Sequence, residues 1–387
     1  MDTNDAPIFS AVSNFTHHLY LILRCIGFAS KAAIQITPQG IRFSAEDGRV
    51  MQGLAFLDKT LFANYVFNPV PSDNGVATDT DLVEEELDTA AYPRFLISLT
   101  ALIETLQIFG LSDAPHHSNP ISNPITGPAS NAFSAPALLL NRTCTISYLR
   151  PGSPLCITLS EAGVTTTCEL TTYEPDNPEF ESSEDVDIPL QRDAILFKII
   201  MRSLWLHNAI MELDSTNPSV LTITASPKKA PYFALSASGG PFGESTVEFS
   251  IDKESDALAD PSYKSLNDNG SSRQPKRGKL APSVAETFLV HPPSSRARVR
   301  QSYRFALVRK ALRAMAAASK VSIRGDSQGV LSIQFMIELG EVVSEPDGST
   351  KTQQVPGTLD NVSFVDFRFV PLVDDEANDG EGGELGE

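Results

Sequence analysis

No apolar run in these 387 residues approaches the roughly 18 that a membrane-spanning helix needs, so no bilayer partner is expected. The opening MDTNDAPIFS has neither the basic end nor the apolar centre of a secretion signal, and the chain is expected to be soluble and made inside the cell. Cys25, Cys144, Cys156 and Cys168 lie far apart without C-x-x-C spacing, which removes zinc ribbons and disulfide frameworks and leaves four small buried hydrophobes. A Gly-x-x-x-x-Gly-Lys phosphate loop is missing. The pairs His17-His18 and His116-His117 have no acidic partner at metal-ligand spacing, and neighbouring residues do not share a helix face, so no metal is expected. GDSQG at 325–329 fits the Gly-x-Ser-x-Gly elbow of serine hydrolases. That elbow needs a strand before it, a helix after it and a later histidine; strand-like runs flank this one and the last histidine is His291, so it reads as a hairpin turn.

Basic residues are scarce in particular places. The net charge is −18, yet six acids fall in 79–88, seven in 174–187 and seven in 374–387, with no Lys or Arg in any of them. Outside these blocks 28 acids face 30 bases, so the body of the chain is nearly neutral and has room for a local basic surface. The blocks read as solvated loops and a tail. The dense carboxylates therefore sit away from strands and helices, where a two-metal nuclease would need them, and catalysis has little support.

A hydrophobic content of 41% over this length suits two domains, each with its own core. In 15–28 the residues Phe15, Leu19, Ile22 and Ile26 recur at helical spacing. Short apolar runs broken by PQG and EDG follow as a β meander, then a strand YPRFLISL and a helix through 98–110, capped by Ser98 or Thr100 and ended at Gly110. The same order returns from residue 195, with a helix over RSLWLHNAIMELD. IRFSAEDG at 41–48 matches YFALSASGG at 232–240 about half a chain away, which implies two similar α+β halves. Insertions rich in polar residues are expected at 112–136 and 253–284, the second holding a weak nuclear-localisation-like patch, RQPKRGK at 273–279.

What remains is positive charge on the helical segments. Arg24 lies on the first, with Lys31 just after it; Arg202 begins the third, which carries His207; and VRKALRAMAAASK at 308–320 carries Arg309, Lys310, Arg313 and Lys320 with no acid. If these helices share a surface, it is a track that neutralises phosphates without reading bases. Aromatic residues are not interleaved with the charges, which argues against a single-strand stacking platform.

SKVSIRGDSQGVLSIQFMIE, KIIMRSLWLHNAIMELD with LTITASPKKAPYFALSASG, and FLISLTALIETLQIFG resemble the Rad-one type subunits of the heterotrimeric DNA-damage checkpoint clamp, a family related to PCNA. The likeness runs in order from about 8 to 372, outside the insertions. It implies an α+β sliding-clamp fold with clamp domains at 8–173 and 191–373, a connecting loop at 174–190, an acidic tail at 374–387, outer sheets and four inner helices. It also implies Rad-nine and Hus-one type partners, an ATP-dependent loader, repair enzymes as clients, double-stranded DNA bound without sequence preference, nuclear location and no cofactor. Arg24, Arg202, Arg309 and Arg313 would then point to phosphates, with Lys31, Lys310, Lys320 and His207 nearby. Rings of this kind close by pairing edge strands, so the candidates are 164–172, with Val164, Thr166, Cys168 and Leu170, and 244–251, with Ser245, Val247, Phe249 and Ile251. A 3′ to 5′ exonuclease and a homotrimeric replication clamp are the rival readings.

Overall fold

A computed structural model of the chain describes residues 6–68, 92–108, 143–161, 163–174, 187–251, 284–293, 298–339, 341–344, 350–353 and 362–373. The insertion at 112–136, the acidic tail, the patch at 273–279 and all but the first residue and the end of the expected connecting loop lie outside these residues, as does nearly all of 253–284.

The chain repeats one motif four times: a strand, a helix, then three antiparallel strands. The first copy is β1 (Phe9–Ser13), α1 (Thr16–Cys25), β2 (Lys31–Thr37), β3 (Gly40–Asp47) and β4 (Met51–Asp58), followed by the short β5 (Asn64–Phe67). The second is β6 (Arg94–Ser98), α2 (Leu99–Leu106), β7 (Thr143–Tyr148), β8 (Leu155–Glu161) and β9 (Val164–Leu170). The third is β10 (Ile195–Arg202), α3 (Ser203–Asp214), β11 (Val220–Ala225), β12 (Phe233–Gly240) and β13 (Gly243–Phe249), with β14 (Ala285–Val290) after it. The fourth is β15 (Val299–Arg304), the helices α4 (Phe305–Arg309) and α5 (Leu312–Ala317), β16 (Lys320–Asp326) and β17 (Leu331–Glu338). A small hairpin, β18 (Glu341–Ser344) and β19 (Thr350–Gln353), precedes the last strand, β20 (Val362–Phe369). The repeated segments seen in the sequence are β3 and β12, each the middle strand of its meander.

In each motif pair the strand before a helix joins the meander of its neighbour. β1 pairs β7 while β6 pairs β2; β15 pairs β11 while β10 pairs β16. This exchange ties two motifs into one body. The strands follow the alternation in the sequence: β8 buries every second residue, and on its other face Thr158 and Ser160 lie across from Thr167 and Thr165 of β9.

Two compact units result, and they cut across the chain halves expected at 8–173 and 191–373. One comprises Met1–Pro189, Lys310–Ser319 and Gln334–Phe369, the other Leu190–Arg309, Lys320–Ile333 and Val370–Glu387. The reason is pairing. Phe369 of β20 sits opposite Met51 of β4, and α5 packs on α1, so late segments belong to the first unit. That unit holds the antiparallel order β5-β1-β7-β8-β9 and a second ladder, β6-β2-β3-β4-β20. The other holds β13-β12-β11-β15 and the ladder β14-β10-β16.

The helices start and stop for local reasons. α1 buries Leu19, Tyr20, Ile22 and Leu23, with Arg24 in its last turn where a cation suits the helix dipole. Ser98 caps α2, its Oγ accepting from the Ala101 N–H at 3.2 Å, and the helix ends at Leu106, before the expected Gly110. α3 buries Leu206, Ile210 and Leu213, the face its spacing predicts. The basic segment departs from expectation. It is two helices of five and six residues, broken at Lys310–Ala311, although neither Pro nor Gly interrupts it. Helices so short do not persist by propensity; burial of Phe305, Val308, Ala311, Ala314 and Met315 sets their course. Lys320 falls on β16 rather than on a helix.

Candidate nucleic-acid interface

In the first unit, α1 and α5 bring two arginines together. Arg24 is half-buried with its guanidinium 5.8 Å from the centre of the Tyr20 ring, and Arg313 is exposed at the second position of α5. Both charges act on the Cys25 thiol. Burial outweighs that attraction and pushes the thiol up to about 12, and burial alone takes Cys144 to about 12 as well. These two thiols are therefore expected to resist iodoacetamide at pH 8 in the native chain, while half-exposed Cys156 and Cys168 react. Mass spectrometry counts the adducts, and alkylation of Cys25 or Cys144 before unfolding would contradict this placement.

The other two expected cations of this unit, Lys31 and Lys310, each meet a ring, and Lys310 meets a carboxylate as well. Lys31 opens β2 with its Nζ 5.1 Å from the Tyr173 ring centre. Lys310 Nζ lies 2.5 Å from an Asp47 carboxylate oxygen and 5.9 Å from the Phe28 ring centre.

In the second unit, Arg202 ends β10 at the threshold of α3; it is exposed and has no ion pair among the described residues. His207 is half-exposed on α3, with Nδ1 3.4 Å from Asn208 Oδ1. Arg309 Nη1 lies 3.3 Å from Asp214 Oδ1, and Lys320 Nζ lies 2.8 Å from Glu286 Oε2. Three of the eight residues expected to face DNA, Arg309, Lys310 and Lys320, thus carry a carboxylate partner. Such partly exposed pairs are worth about 0–1 kcal/mol each, so a phosphate can exchange for the carboxylate at little cost.

Arg304 escaped the sequence reading. It ends β15 at the threshold of α4, the position Arg202 occupies before α3, and it too is exposed without an ion pair among the described residues. Aligning the repeats, MRSL on YRFA, would have found it.

Both candidate edge strands terminate a ladder: β9 lies outermost beyond β8, and β13 beyond β12. They share one burial pattern. Val164 is exposed, Thr166 and Cys168 half-buried and Leu170 buried; Ser245 and Val247 are half-buried and Phe249 buried. Ile251 is a correction, because β13 ends at Phe249, opposite Phe233 where β12 begins, and leaves Ile251 without a ladder partner.

The end of the expected connecting loop is pinned. The Asp187 carboxylate accepts from Arg42 and, at 2.8 Å, from Gln52 Nε2; the Ile188 N–H donates to Gln52 Oε1 at 3.0 Å, and Arg368 Nη1 donates to the Ile188 carbonyl at 2.7 Å. In the second unit a groove of about 450 Å³ is lined by residues that include Val299, Gln301, Gly329, Pro371 and Leu372.

The GDSQG segment is a hairpin turn followed by β17, not by a helix. Asp326 Oδ1 accepts from the Gln328 and Val330 N–H groups at 3.0 and 2.8 Å, and Gly329 takes a φ of +88° that suits glycine. No group of three or more His, Cys, Asp or Glu among the described residues is placed to hold a metal ion, and no described helix is long and apolar enough to cross a membrane.

Residues 8–337 match the family described as Repair protein Rad1/Rec1/Rad17. The chain is 28% identical over 366 residues to the DNA damage checkpoint control protein rad1 of Schizosaccharomyces pombe, covering 94% of this chain and 87% of that protein. It is 29% identical over 336 residues to the cell cycle checkpoint protein RAD1 of Homo sapiens, covering 87% and 88%. A shorter likeness, 26% over 197 residues, covers 50% of this chain and 39% of the DNA repair exonuclease REC1 of Mycosarcoma maydis. PCNA from Thermococcus kodakaraensis superposes with a TM-score of 0.52 at 14% identity, over 94% of this chain and 100% of that one. The chain therefore belongs to the Rad1/Rec1/Rad17 repair-protein family and has the fold of the PCNA clamp.

Proposed function

We propose that this chain is one subunit of a heterotrimeric clamp that encircles duplex DNA. Rad-nine and Hus-one type chains complete the ring, an ATP-dependent loader places it at damage in the nucleus, and it serves there as a platform for checkpoint signalling and repair enzymes. The observation that carries this reading is a match to a checkpoint and repair family along 8–337 in a chain folded like a sliding clamp over 94% of its length. In the ring, α1 to α5 line the hole, with Arg24, Arg202, Arg304, Arg309 and Arg313 turned to phosphates, and the groove beside Pro371 and Leu372 takes partner peptides. The chain's role is to hold and position, not to react.

The REC1 likeness favours a second reading, a 3′ to 5′ exonuclease, over about half the chain. Native mass and subunit composition of the protein purified from its own cells separate the alternatives. Two different clamp-sized partners support the heterotrimer, three identical copies point to a replication clamp, and a monomer with metal-dependent nuclease activity revives the exonuclease.

Replacing Arg309 and Arg313 together by alanine is expected to lower the slope of log affinity against log salt by about 1 to 2 while leaving assembly intact. Losing Arg309 also frees the Asp214 carboxylate to repel phosphate, so the pair should weaken binding more than twice as much as Arg313→Ala alone. An unchanged salt slope refutes the inward placement of these arginines.

A further inference from the structure

β15 lies outermost beyond β11, and no described strand pairs with it on its other side. One bond is made there: the Leu372 N–H donates to the Ser302 carbonyl at 2.7 Å. Backbone groups alternate between the two edges of a strand, so those of Arg300 and Arg298 face the same open edge as Ser302. Leu372 and Val373 line the groove of about 450 Å³ together with Arg298 and Arg300. Cations gather around it. Arg300 is exposed opposite Thr224 of β11, and Arg298 Nη2 donates to the Ala230 carbonyl at 3.2 Å, next to exposed Lys228 and Lys229. None of these four cations has an ion pair among the described residues. The stretch that follows Val373 is 374–387, with seven acids and no Lys or Arg.

We propose that this acidic stretch is the occupant of the β15 edge: it adds to the sheet antiparallel to β15, lays its carboxylates on Arg300, Arg298 and the Lys228–Lys229 loop, and so covers the chain's own groove. Carried on from the bond between Leu372 and Ser302, antiparallel register sets Asp374 opposite Arg300 and Glu376 opposite Arg298. Directly opposed residues share a face of the sheet, so each acid meets a base without a shift of register. A nucleic-acid strand fits this patch poorly, because a segment of seven acids tethered at its rim repels phosphate. Tethering holds the acidic stretch at an effective concentration on the order of millimolar, so weak pairing suffices to keep the edge covered. Where the clamp reading puts a partner peptide in this groove, that peptide must first displace the stretch.

The test uses the assembly the chain forms in its own cells, made with the full chain or with a chain stopped after Val373, and a fluorescent synthetic peptide of residues 374–387 as the probe. The peptide should bind the shortened chain, weaken as salt rises, and bind the full chain about 10-fold less well, because the tethered copy already holds the site. Arg298→Glu with Arg300→Glu in the shortened chain should abolish that binding. Hydrogen exchange gives a second readout: the Arg300 amide should exchange about 10-fold faster once 374–387 is gone. Equal peptide affinity for the two chains, binding to neither, or binding matched by a peptide whose acids are replaced by amides overturns the docking and leaves the clamp reading standing. Docking in an assembly without two different clamp-sized partners overturns the heterotrimer alone.

Discussion

Of the two variants Thr246→Pro and Val247→Pro, one is expected to fold normally and stay out of the ring. Both residues lie on β13, whose pairing with β12 places Thr246 opposite Ser236 and Val247 opposite Leu235. Successive N–H groups on a strand point to opposite edges, so proline at one position removes a ladder bond to β12 and at the other removes an outward donor. A proline whose missing N–H faced outward leaves the sheet intact, since edge strands tolerate it there. It also sets a ring where a neighbouring strand would dock, and a loss of about 3 kcal/mol, or roughly 100-fold in affinity, is the expected scale. Co-purification and native mass read the result against circular dichroism of the isolated chain. If both variants assemble normally, β13 is not the closing edge. Cys168 makes a parallel probe of β9: its thiol should label in the isolated chain and be protected in the ring.

Asp326→Ala should be the most destabilising change in the second unit. The side chain is 0% exposed, and its carboxylate accepts from three backbone N–H groups, those of Gln191, Gln328 and Val330. Alanine leaves all three without an acceptor. At about 1–3 kcal/mol for the buried Val330 donor and less for the two half-buried ones, which water can reach, the loss is about 2–4 kcal/mol. Asp326 also ties Gln191, just past the connecting loop, to the β16–β17 turn, so the variant should loosen proteolytic access around 190. Urea unfolding measures the shift. A change below about 0.5 kcal/mol would mean that the turn holds itself without the carboxylate, whereas Ser327→Ala, which removes one exposed hydroxyl contact, should stay near that limit.

α1, α2 and α3 were legible because each buries a stripe at helical spacing, and the strands because most have one wet face. The hairpin at 326–330 was legible against the hydrolase pattern because apolar alternation resumes at Leu331. The break at Lys310–Ala311 was not. No residue there forbids a continuous helix, and the course is set by what Val308 and Met315 are buried against. The partners of the basic residues were equally hidden, since Asp47 lies 263 residues from Lys310 and Asp214 lies 95 from Arg309. A tally of charge along the chain sees four free cations in 308–320, whereas the fold neutralises three of them in pairs.

The pairing of β20 with β4 governs how the protein is born. Residues 51–55 leave the ribosome more than 300 residues before 365–369, their ladder partners. Until then β4 presents a bare edge beside an incomplete core, and α1 waits for α5. The first unit cannot mature as it emerges; it closes only when almost the whole chain has been made. A truncation before residue 362 should therefore damage the N-terminal unit as much as the C-terminal one, and nascent chains stalled there should be chaperone clients.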